Sequence, residues 1–271
     1  MAKLRRSERI AALVKLLADR PGHLWSLGQF AERFAAAKST ISDDLALIKA
    51  VLDQEGLGTI RTYPGVAGGV TYEPRVSEEA AWKLAEELAA ALRDPQRVLP
   101  GGFLYMTDLL FAPTWAERLG ALFATRFRAE EPDLVATVET KGIPLGLMTA
   151  RALGRPLVLL RRDSRVTEGP SVSINYVSGS SQRIATMSVP RRAVPPGARV
   201  LLVDDFMKGG GTARGMMDLM REVGARVVGL GVVIATAEPA RKLVDDYFAV
   251  VVLEGVDTVR RQVRVRPSLG R

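Results

Sequence analysis

Two adjacent aspartates, Asp204 and Asp205, follow an apolar run at residues 200–203 and precede a glycine-rich stretch that ends at a threonine. Ionised carboxylates accept hydrogen bonds from the neighbouring hydroxyls of a sugar, and backbone N–H groups at the start of a helix bind phosphate. The spacing therefore predicts a site that holds a sugar diol beside a phosphate. The alternative is an ordinary strand-to-helix loop with solvated aspartates. The candidate ligand-binding residues are Asp204, Asp205, Phe206, Met207, Lys208, Gly209, Gly210, Gly211 and Thr212.

A second polar segment, Thr140, Lys141 and Gly142, follows another apolar run at 134–138. Lys141 can meet a diphosphate as a point charge, and Gly142 permits close approach of the backbone to a ligand. Because the carboxyl ends of parallel strands meet at one edge of a sheet, we expect both segments in a common cleft. A further polar stretch is typical of a flexible lid, or of an ordinary surface loop: Tyr176, Val177, Ser178, Gly179, Ser180 and Ser181.

Composition excludes several kinds of site. The 271 residues include no cysteine, which rules out disulfides, thiolate metal sites and thiol catalysis. The single histidine, His23, lies in a Pro-Gly-His turn and is interpreted as structural, so no Ser-His-Asp triad, metal ligand or catalytic residue is assigned. No run of about 18 apolar residues and no apolar signal core occur. We therefore expect a cytoplasmic protein without a membrane segment.

Charge is distributed unevenly along a chain whose formal net charge is +8. Residues 141–199 carry ten basic and two acidic side chains and come just before the aspartate pair. Such a surface attracts a polyanionic small ligand or a nucleic acid. A merely solvated basic face is the alternative.

Beyond residue 112 the chain alternates strand-like and helix-like patterns. This alternation predicts an α/β fold, a mostly parallel sheet flanked by helices, with ligands at the carboxyl ends of its strands. The predicted strands are 134–138, 157–160, 200–203, 227–235 and, as the last, 248–253, with a hairpin formed by 172–176 and 183–189. The predicted helices are 115–128, one ending at 153, 212–223 and 239–246.

The first 75 residues have the layout of a winged helix-turn-helix module. Ser7 and Ser26 are the expected caps of the first two helices. The third helix, at about 38–55, has apolar residues on one face at steps of 4, 3 and 4. Two strands, 58–63 and 69–73, then surround a glycine-rich turn. The alternative reading of this segment is a small helical dimerisation domain.

A DNA-binding surface is predicted on this module, because small polar residues and lysines on the open face of a helix can enter a major groove. Arg9 belongs with the predicted basic arm at the N-terminus, and Asp43 and Asp44 either oppose DNA near the reading face or favour the first turn of the helix. The candidate DNA-binding residues are Lys3, Arg5, Arg6, Lys38, Ser39, Thr40, Ser42, Lys49, Arg61 and Tyr63.

The segment 76–112 links the two regions and begins with a helix. Trp82 recurs with leucines at helical spacing, so it is predicted in the core or an interface rather than at a ligand. Tyr105 is either a core residue or a cover over a bound ligand.

Residues 200–212 resemble the signature of type I phosphoribosyltransferases, which bind 5-phosphoribosyl 1-diphosphate (PRPP). More specifically, the chain resembles the purine operon repressors of Gram-positive bacteria. The resemblance runs from Arg5 to about Asp246 and rests on these segments: KSTISDDL at 38–45, VAGGV at 66–70, TKGIP at 140–144, VTEG at 166–169, SVSINYVSGSS at 171–181 and DDFMKGGGT at 204–212.

That resemblance implies a homodimeric transcriptional repressor rather than an active transferase. Residues 1–75 would be a winged-helix domain that binds operator DNA upstream of purine synthesis genes. Residues 76–271 would be a phosphoribosyltransferase-like domain whose bound PRPP relieves repression. A purine phosphoribosyltransferase with an N-terminal accessory domain is the competing function.

The resemblance also implies roles for single residues. Asp204 and Asp205 would accept the ribose hydroxyls, residues 208–212 would hold the 5-phosphate, and residues 140–142 would contact the diphosphate, with or without Mg²⁺. Residues 176–181 would correspond to the family's flexible loop. Purine nucleotides bearing diphosphates, including guanosine tetraphosphate, would compete for the pocket, and Tyr105 or Phe206 would then stack on the base.

Overall fold

The computed structural model describes residues 4–162, 169–177 and 184–270. The predicted DNA contact Lys3 and the predicted loop residues Ser178, Gly179, Ser180 and Ser181 lie outside these ranges. The chain divides into two compact units: one runs to Ser77 and includes 151–154, and the other comprises 78–150 and 155–271. This division lies two residues from the boundary predicted between 75 and 76.

The first unit consists of three helices and a hairpin. Its elements are α1 (Arg6–Asp19), α2 (Leu27–Phe34), α3 (Lys38–Gln54), β1 (Thr59–Tyr63) and β2 (Gly69–Glu73). The two strands pair antiparallel. Its core is built from Leu13, Phe30 and Ile41, whose side chains are fully buried. The predicted winged-helix layout is confirmed.

The caps of the first two helices differ from each other. Ser26 caps α2 as predicted, because its hydroxyl accepts the Gln29 N–H at 3.2 Å and its own N–H donates to Gln29 Oε1 at 2.8 Å. The prediction that Ser7 caps α1 is wrong. The N-cap is Arg5, whose N–H donates to the Glu8 carboxylate at 2.7 Å, so the helix already includes Ser7.

The second unit is an α/β domain. Its helices are α4 (Glu78–Leu92), α5 (Thr107–Phe111), α6 (Pro113–Phe127), α7 (Gly142–Leu153) and α8 (Gly211–Glu222). Its strands are β3 (Val98–Leu99), β4 (Phe103–Leu104), β5 (Leu134–Val138), β6 (Leu157–Leu160), β7 (Ser171–Val177), β8 (Ile184–Pro190), β9 (Arg199–Met207), β10 (Arg226–Thr236), β11 (Phe248–Asp257) and β12 (Gln262–Pro267).

Six of these strands form the central sheet, in the order β12-β11-β10-β9-β5-β6. All neighbouring pairs are parallel except β11 and β12, which pair antiparallel. The apolar residues of β9 are buried on both faces, as expected for a central strand covered on two sides. The mostly parallel sheet flanked by helices is therefore confirmed, and it places the carboxyl ends of β5 and β9 side by side.

Three local predictions are wrong. Strand β9 does not stop at Val203, because Asp204 and Phe206 continue its pairing with β10. Residues 239–246 form bends rather than a helix, since their backbone groups bond elsewhere: the Leu243 N–H donates to the Gly209 carbonyl at 2.9 Å. Strand β11 is not the last, because β12 follows it. The Trp82 side chain is 42% exposed and lies outside the core, so of its two predicted places the interface stays a prediction.

Candidate functional site

The loop between β9 and α8 is shaped by Gly210. This residue has φ +85° and is the N-cap of α8, a conformation that disfavours any residue with a Cβ. The first bond of the helix is donated by the Arg214 N–H to the Gly210 carbonyl at 2.8 Å. The N–H groups of the first turn before Arg214 have no partner within the helix, so they can bind an anion.

A small cavity of about 70 Å³ lies at this loop. Most of the predicted stretch surrounds it, whereas Asp205 and Gly209 do not line it. Its lining residues are Asp204, Phe206, Met207, Lys208, Gly210, Gly211, Thr212 and Ala213. The cavity therefore places a carboxylate beside the N-terminus of α8.

The two aspartates have different surroundings. Asp204 is only 5% exposed, while Asp205 is partly exposed. Burial, followed by the neighbouring charge of Asp205, raises the pKa of the Asp204 carboxyl well above its ordinary value. The Asp205 N–H donates to Asp204 Oδ1 at 2.9 Å and opposes this shift. Asp204 is thus a buried acceptor at the carboxyl end of the central strand.

The segment after β5 meets the same edge of the sheet. A Cβ atom at Gly142 would lie 2.2 Å from Thr137 Oγ1 and 3.6 Å from Asp204 Oδ1. Gly142 therefore lies beside the Asp204 carboxylate, as the common cleft requires. Thr140 and Lys141, on the same turn, are exposed.

Thr137 is a residue of the site that the sequence did not indicate. Its hydroxyl is buried, and within the described ranges it has no hydrogen-bond partner. Its position in an apolar strand predicts only core packing, so burial against Gly142 could not be read from the local pattern.

Two residues of the predicted loop belong to a strand instead. Tyr176 and Val177 belong to β7, where they pair with Ala185 and Ile184 of β8. A Cβ at Gly215 of α8 would come within 2.9 Å of the Tyr176 ring, so this tyrosine packs tightly on the helix.

Tyr105 is 45% exposed, and its N–H donates to the Arg97 carbonyl at 2.8 Å. It does not line the small cavity. Its stacking on a base stays a prediction.

The open face of α3 carries the small polar residues and lysines that were predicted there. Lys38, Ser39, Ser42 and Lys49 are exposed, Thr40 is partly exposed, and Lys49 forms an ion pair with Asp53 one turn away. At the hairpin, the Arg61 guanidinium lies 5.2 Å from the centre of the Tyr63 ring and 3.8 Å from the Glu73 carboxylate.

A buried ion pair corrects the predicted basic arm. Asp44 is fully buried and accepts hydrogen bonds from Arg9 Nε at 2.6 Å and from Arg6 Nε at 3.1 Å. Arg9 is also buried, so it cannot contact DNA from this position. Arg6 stays exposed, but its guanidinium is paired with Asp44. Asp44 does not lie on the reading face. Asp43 does remain exposed.

Across the described ranges, no helix is long and apolar enough to cross a bilayer. The same residues contain no group of three acidic or imidazole side chains arranged to hold a metal ion.

Comparison with known proteins divides the chain in the same way. Residues 5–74 match the family described as bacterial purine repressor, N-terminal, and residues 107–266 match the phosphoribosyl transferase domain. The chain is 44% identical to the purine biosynthesis transcriptional repressor PurR of Bacillus subtilis (strain 168), over 97% of this chain and 93% of that protein. It is 36% identical to the purine biosynthesis transcriptional activator PurR of Lactococcus lactis subsp. lactis (strain IL1403), over 97% of both chains.

Two phosphoribosyltransferases match a smaller share of the chain than these regulators do. A xanthine phosphoribosyltransferase of Deinococcus deserti is 33% identical over 55% of this chain and 80% of the enzyme. The adenine phosphoribosyltransferase of Saccharomyces cerevisiae shares the fold, with a TM-score of 0.52 over 62% of this chain and 98% of the enzyme, at 23% identity. Since the regulators match almost from end to end, the chain belongs to the bacterial purine repressor family, in which a repressor-type DNA-binding domain precedes a phosphoribosyltransferase domain.

Proposed function

We propose that this protein binds operator DNA at purine biosynthesis genes and that PRPP, bound in the cleft between Gly142 and Gly210, controls its affinity for that DNA. The observation that carries the proposal is the position of the buried Asp204 carboxylate, beside both Gly142 and the N-terminus of α8. A ribose phosphate needs an acceptor for its hydroxyls and a positive dipole for its phosphate, and these two features supply them.

Each part of PRPP has a complementary group in this cleft. Asp204 and Asp205 accept the two ribose hydroxyls. The first-turn N–H groups of α8 and the Lys208 ammonium hold the 5-phosphate. Lys141 and the backbone at Gly142 meet the diphosphate, and Mg²⁺ can accompany that group, because hard cations bind phosphate oxygens.

Purine nucleotides with a diphosphate, guanosine tetraphosphate among them, compete with PRPP in this proposal. Phe206 lines the cavity and supplies an aromatic face for a base. The same phosphate contacts serve either ligand, so competition follows from shared chemistry.

The N-terminal unit reads DNA through α3 and contacts the backbone through the hairpin. Lys38, Ser39 and Ser42 are exposed at the start of α3, where a recognition helix meets base edges. Arg61 and Tyr63 lie on the hairpin, where a guanidinium can reach a phosphate. We further propose that the protein acts in the cytoplasm as a homodimer on a two-fold operator.

Transcriptional control without transferase activity is the function we favour. Relatives that match over nearly the whole length are named transcriptional regulators, whereas a xanthine phosphoribosyltransferase matches over 55% of the chain. One regulator is named a repressor and the other an activator. We propose repression here, the activity of the 44% identical relative.

The test is a fluorescence anisotropy titration of operator duplex with the full chain, with and without PRPP and Mg²⁺. We expect tight binding that PRPP weakens, and no response to PRPP in the Asp204→Asn/Asp205→Asn double variant. Glu222→Gln, at the exposed end of α8, is the matched control and should respond as the wild type does. An undiminished PRPP response in the double variant would overturn the effector site.

The competing function requires a separate assay. Incubation with PRPP, Mg²⁺ and each common purine or pyrimidine base should yield no nucleotide. Nucleotide formation that depends on Asp204 and Asp205 would instead establish a transferase.

A further inference from the structure

A second and larger cavity, of about 580 Å³, lies beside the C-terminal strands of the second unit. It is bounded by the segment 237–247 and by residues of β11, β12 and the chain after β12. In the described structure this segment forms bends, so a gap is left where the predicted helix would have covered the sheet. The volume is within the range of small-molecule sites, about 300–1,000 Å³.

The charges around this cavity are unbalanced. Arg241, Lys242 and Arg266 line it, with Asp245 as the acidic side chain among the lining residues. Arg266 is neutralised by Glu254, at 3.0 Å. Within the part of the chain that the structure describes, neither Arg241 nor Lys242 has an ion pair with a carboxylate.

Lys242 is the unusual member of this set, because its residue is only 9% exposed. Its ammonium donates to the Thr236 carbonyl at 2.7 Å and to Thr236 Oγ1 at 3.2 Å, both neutral oxygens. An ammonium has three N–H donors, so one remains for a ligand. Burial lowers the pKa of Lys242, and the more distant Glu238 carboxylate opposes the shift. An anion in the cavity would supply the missing counter-charge.

The remaining wall combines polar groups with an apolar patch that includes one aromatic ring. Val244, Ala249 and Val252 contribute aliphatic surface, and Tyr247 contributes its ring. A ligand that fits this wall has an apolar body as well as a charge. We propose that the cavity binds a small organic anion, a carboxylate or phosphate monoester on an apolar or aromatic body, held by Lys242 and Arg241.

Hydrogen bonds connect the wall of this cavity to the loop that the proposed function assigns to PRPP. The Leu243 N–H donates to the Gly209 carbonyl at 2.9 Å. Thr236 Oγ1 lies 2.6 Å from the Glu238 carbonyl oxygen and 3.2 Å from that of Lys208. A ligand that draws Lys242 away from Thr236 frees this hydroxyl to rearrange against Lys208. Occupancy of the cavity therefore changes PRPP affinity, a consequence that rests on the proposed function.

Isothermal titration calorimetry tests the cavity with two probes, phenyl phosphate and benzoate, in the presence of saturating PRPP and Mg²⁺. We expect at least one probe to bind, and Lys242→Gln and Arg241→Gln each to weaken it roughly tenfold. Arg241 is exposed, so its variant should fold normally. Arg226→Gln, an exposed arginine at the other end of β10, is the control and should bind as the wild type does.

Two results would overturn the proposal: heat from neither probe at about 10 mM, or equal affinity in the wild type and both cavity variants. The probe that binds shows whether the anion is a phosphate or a carboxylate.

The coupling is tested by titrating PRPP with and without bound probe. Affinity should change in the wild type and not in Lys242→Gln, and an unchanged wild type would refute the coupling. If PRPP itself fails to bind, the proposed function fails while the probe titrations, repeated without PRPP, still judge the cavity.

Discussion

Asp204 and Asp205 are adjacent and chemically identical, yet only Asp204 is buried, and its pKa is raised. The folded protein therefore holds the Asp204 proton at pH values where the unfolded chain has lost it. Between the ordinary and the raised pKa, the folded state binds more protons, so the free energy of unfolding falls as pH rises through this window. Asp204 therefore stabilises the folded state least at pH values where its carboxylate is ionised.

Asp204→Asn should raise the free energy of unfolding at neutral pH, by ~1 kcal/mol or more, because an amide carries no charge to bury. The amide oxygen can still accept the Asp205 N–H. Urea unfolding across a pH series measures the effect, and the difference between variant and wild type should shrink towards acidic pH. Glu222→Gln, at the exposed end of α8, is the control and should leave stability nearly unchanged. A variant that is less stable than the wild type at neutral pH would contradict this account.

Gly142→Ala should destabilise the protein by roughly 1–3 kcal/mol through overpacking. In the first turn of a helix alanine is ordinarily the better residue, but here its Cβ would meet Thr137 Oγ1 at 2.2 Å. Thermal unfolding of Gly142→Ala, Thr137→Ala and the double variant should show a cost smaller than the sum of the singles. Gly209→Ala, whose Cβ would meet Pro239 only at 3.9 Å, should be nearly neutral. A stability loss in the double variant equal to the sum of the two single losses would contradict the steric clash.

A sequence indicates the residues of a binding site only when their type and spacing are unusual. The aspartate pair, the glycines and Lys141 were visible because such groups at strand ends need a reason to be there. Thr137 and Lys242 were not, because their roles come from burial in the folded chain, against Gly142 and Thr236 respectively, which the pattern of residue types does not show.

Helix α3 is held against α1 by charge as well as by apolar packing. Asp44 on α3 accepts two hydrogen bonds from α1, and both Asp44 and Arg9 are buried. The periodicity of apolar residues predicted both helices but not this pair, since it gives no sign that the charged Asp44 is buried. The ion pair therefore joins the two helices.

Asp44→Ala should cost roughly 3–5 kcal/mol, because it leaves the buried Arg9 guanidinium without a counter-charge. Operator affinity should fall with the population of folded N-terminal unit. Circular dichroism during urea unfolding measures the first effect, and anisotropy the second. Asp43→Asn, on the exposed side of the same helix, should leave stability unchanged and slightly strengthen DNA binding. Equal stability of the two variants would refute the role given to Asp44.

Among the secondary-structure elements, most helices and the central strands were predicted from the sequence. The segment 239–246 was predicted wrongly, and β12 was missed. Residues 239–246 have helix-like spacing, yet the bond from Leu243 to Gly209 and those of Lys242 to Thr236 prevail over a short helix with little propensity of its own. Strand β12 could have been found, since Val263 and Val265 alternate with Arg264 and Arg266.

For the whole molecule, a net charge of +8 means that DNA binding should weaken steeply with salt. The logarithm of the association constant should fall linearly with the logarithm of salt concentration, with a slope set by the phosphates neutralised. Anisotropy titrations across a salt series measure this slope. A slope near zero would contradict a surface that binds through charge.

The same series with PRPP separates two ways in which the ligand could act. A lower slope indicates that the ligand masks cations that otherwise meet DNA. An unchanged slope with weaker binding indicates a shift between conformations of different DNA affinity.

Strand β12 also decides how copies of this protein behave at high concentration. It forms one margin of the six-stranded sheet, with Val263 and Val265 turned inward and Arg264 and Arg266 exposed. An unpaired strand edge invites edge-to-edge aggregation, and charged side chains on an edge strand, here Arg264 and the ion pair of Arg266 with Glu254, oppose it. The final strand thus protects the sheet from uncontrolled polymerisation, and shortening the chain before it would expose the apolar β11.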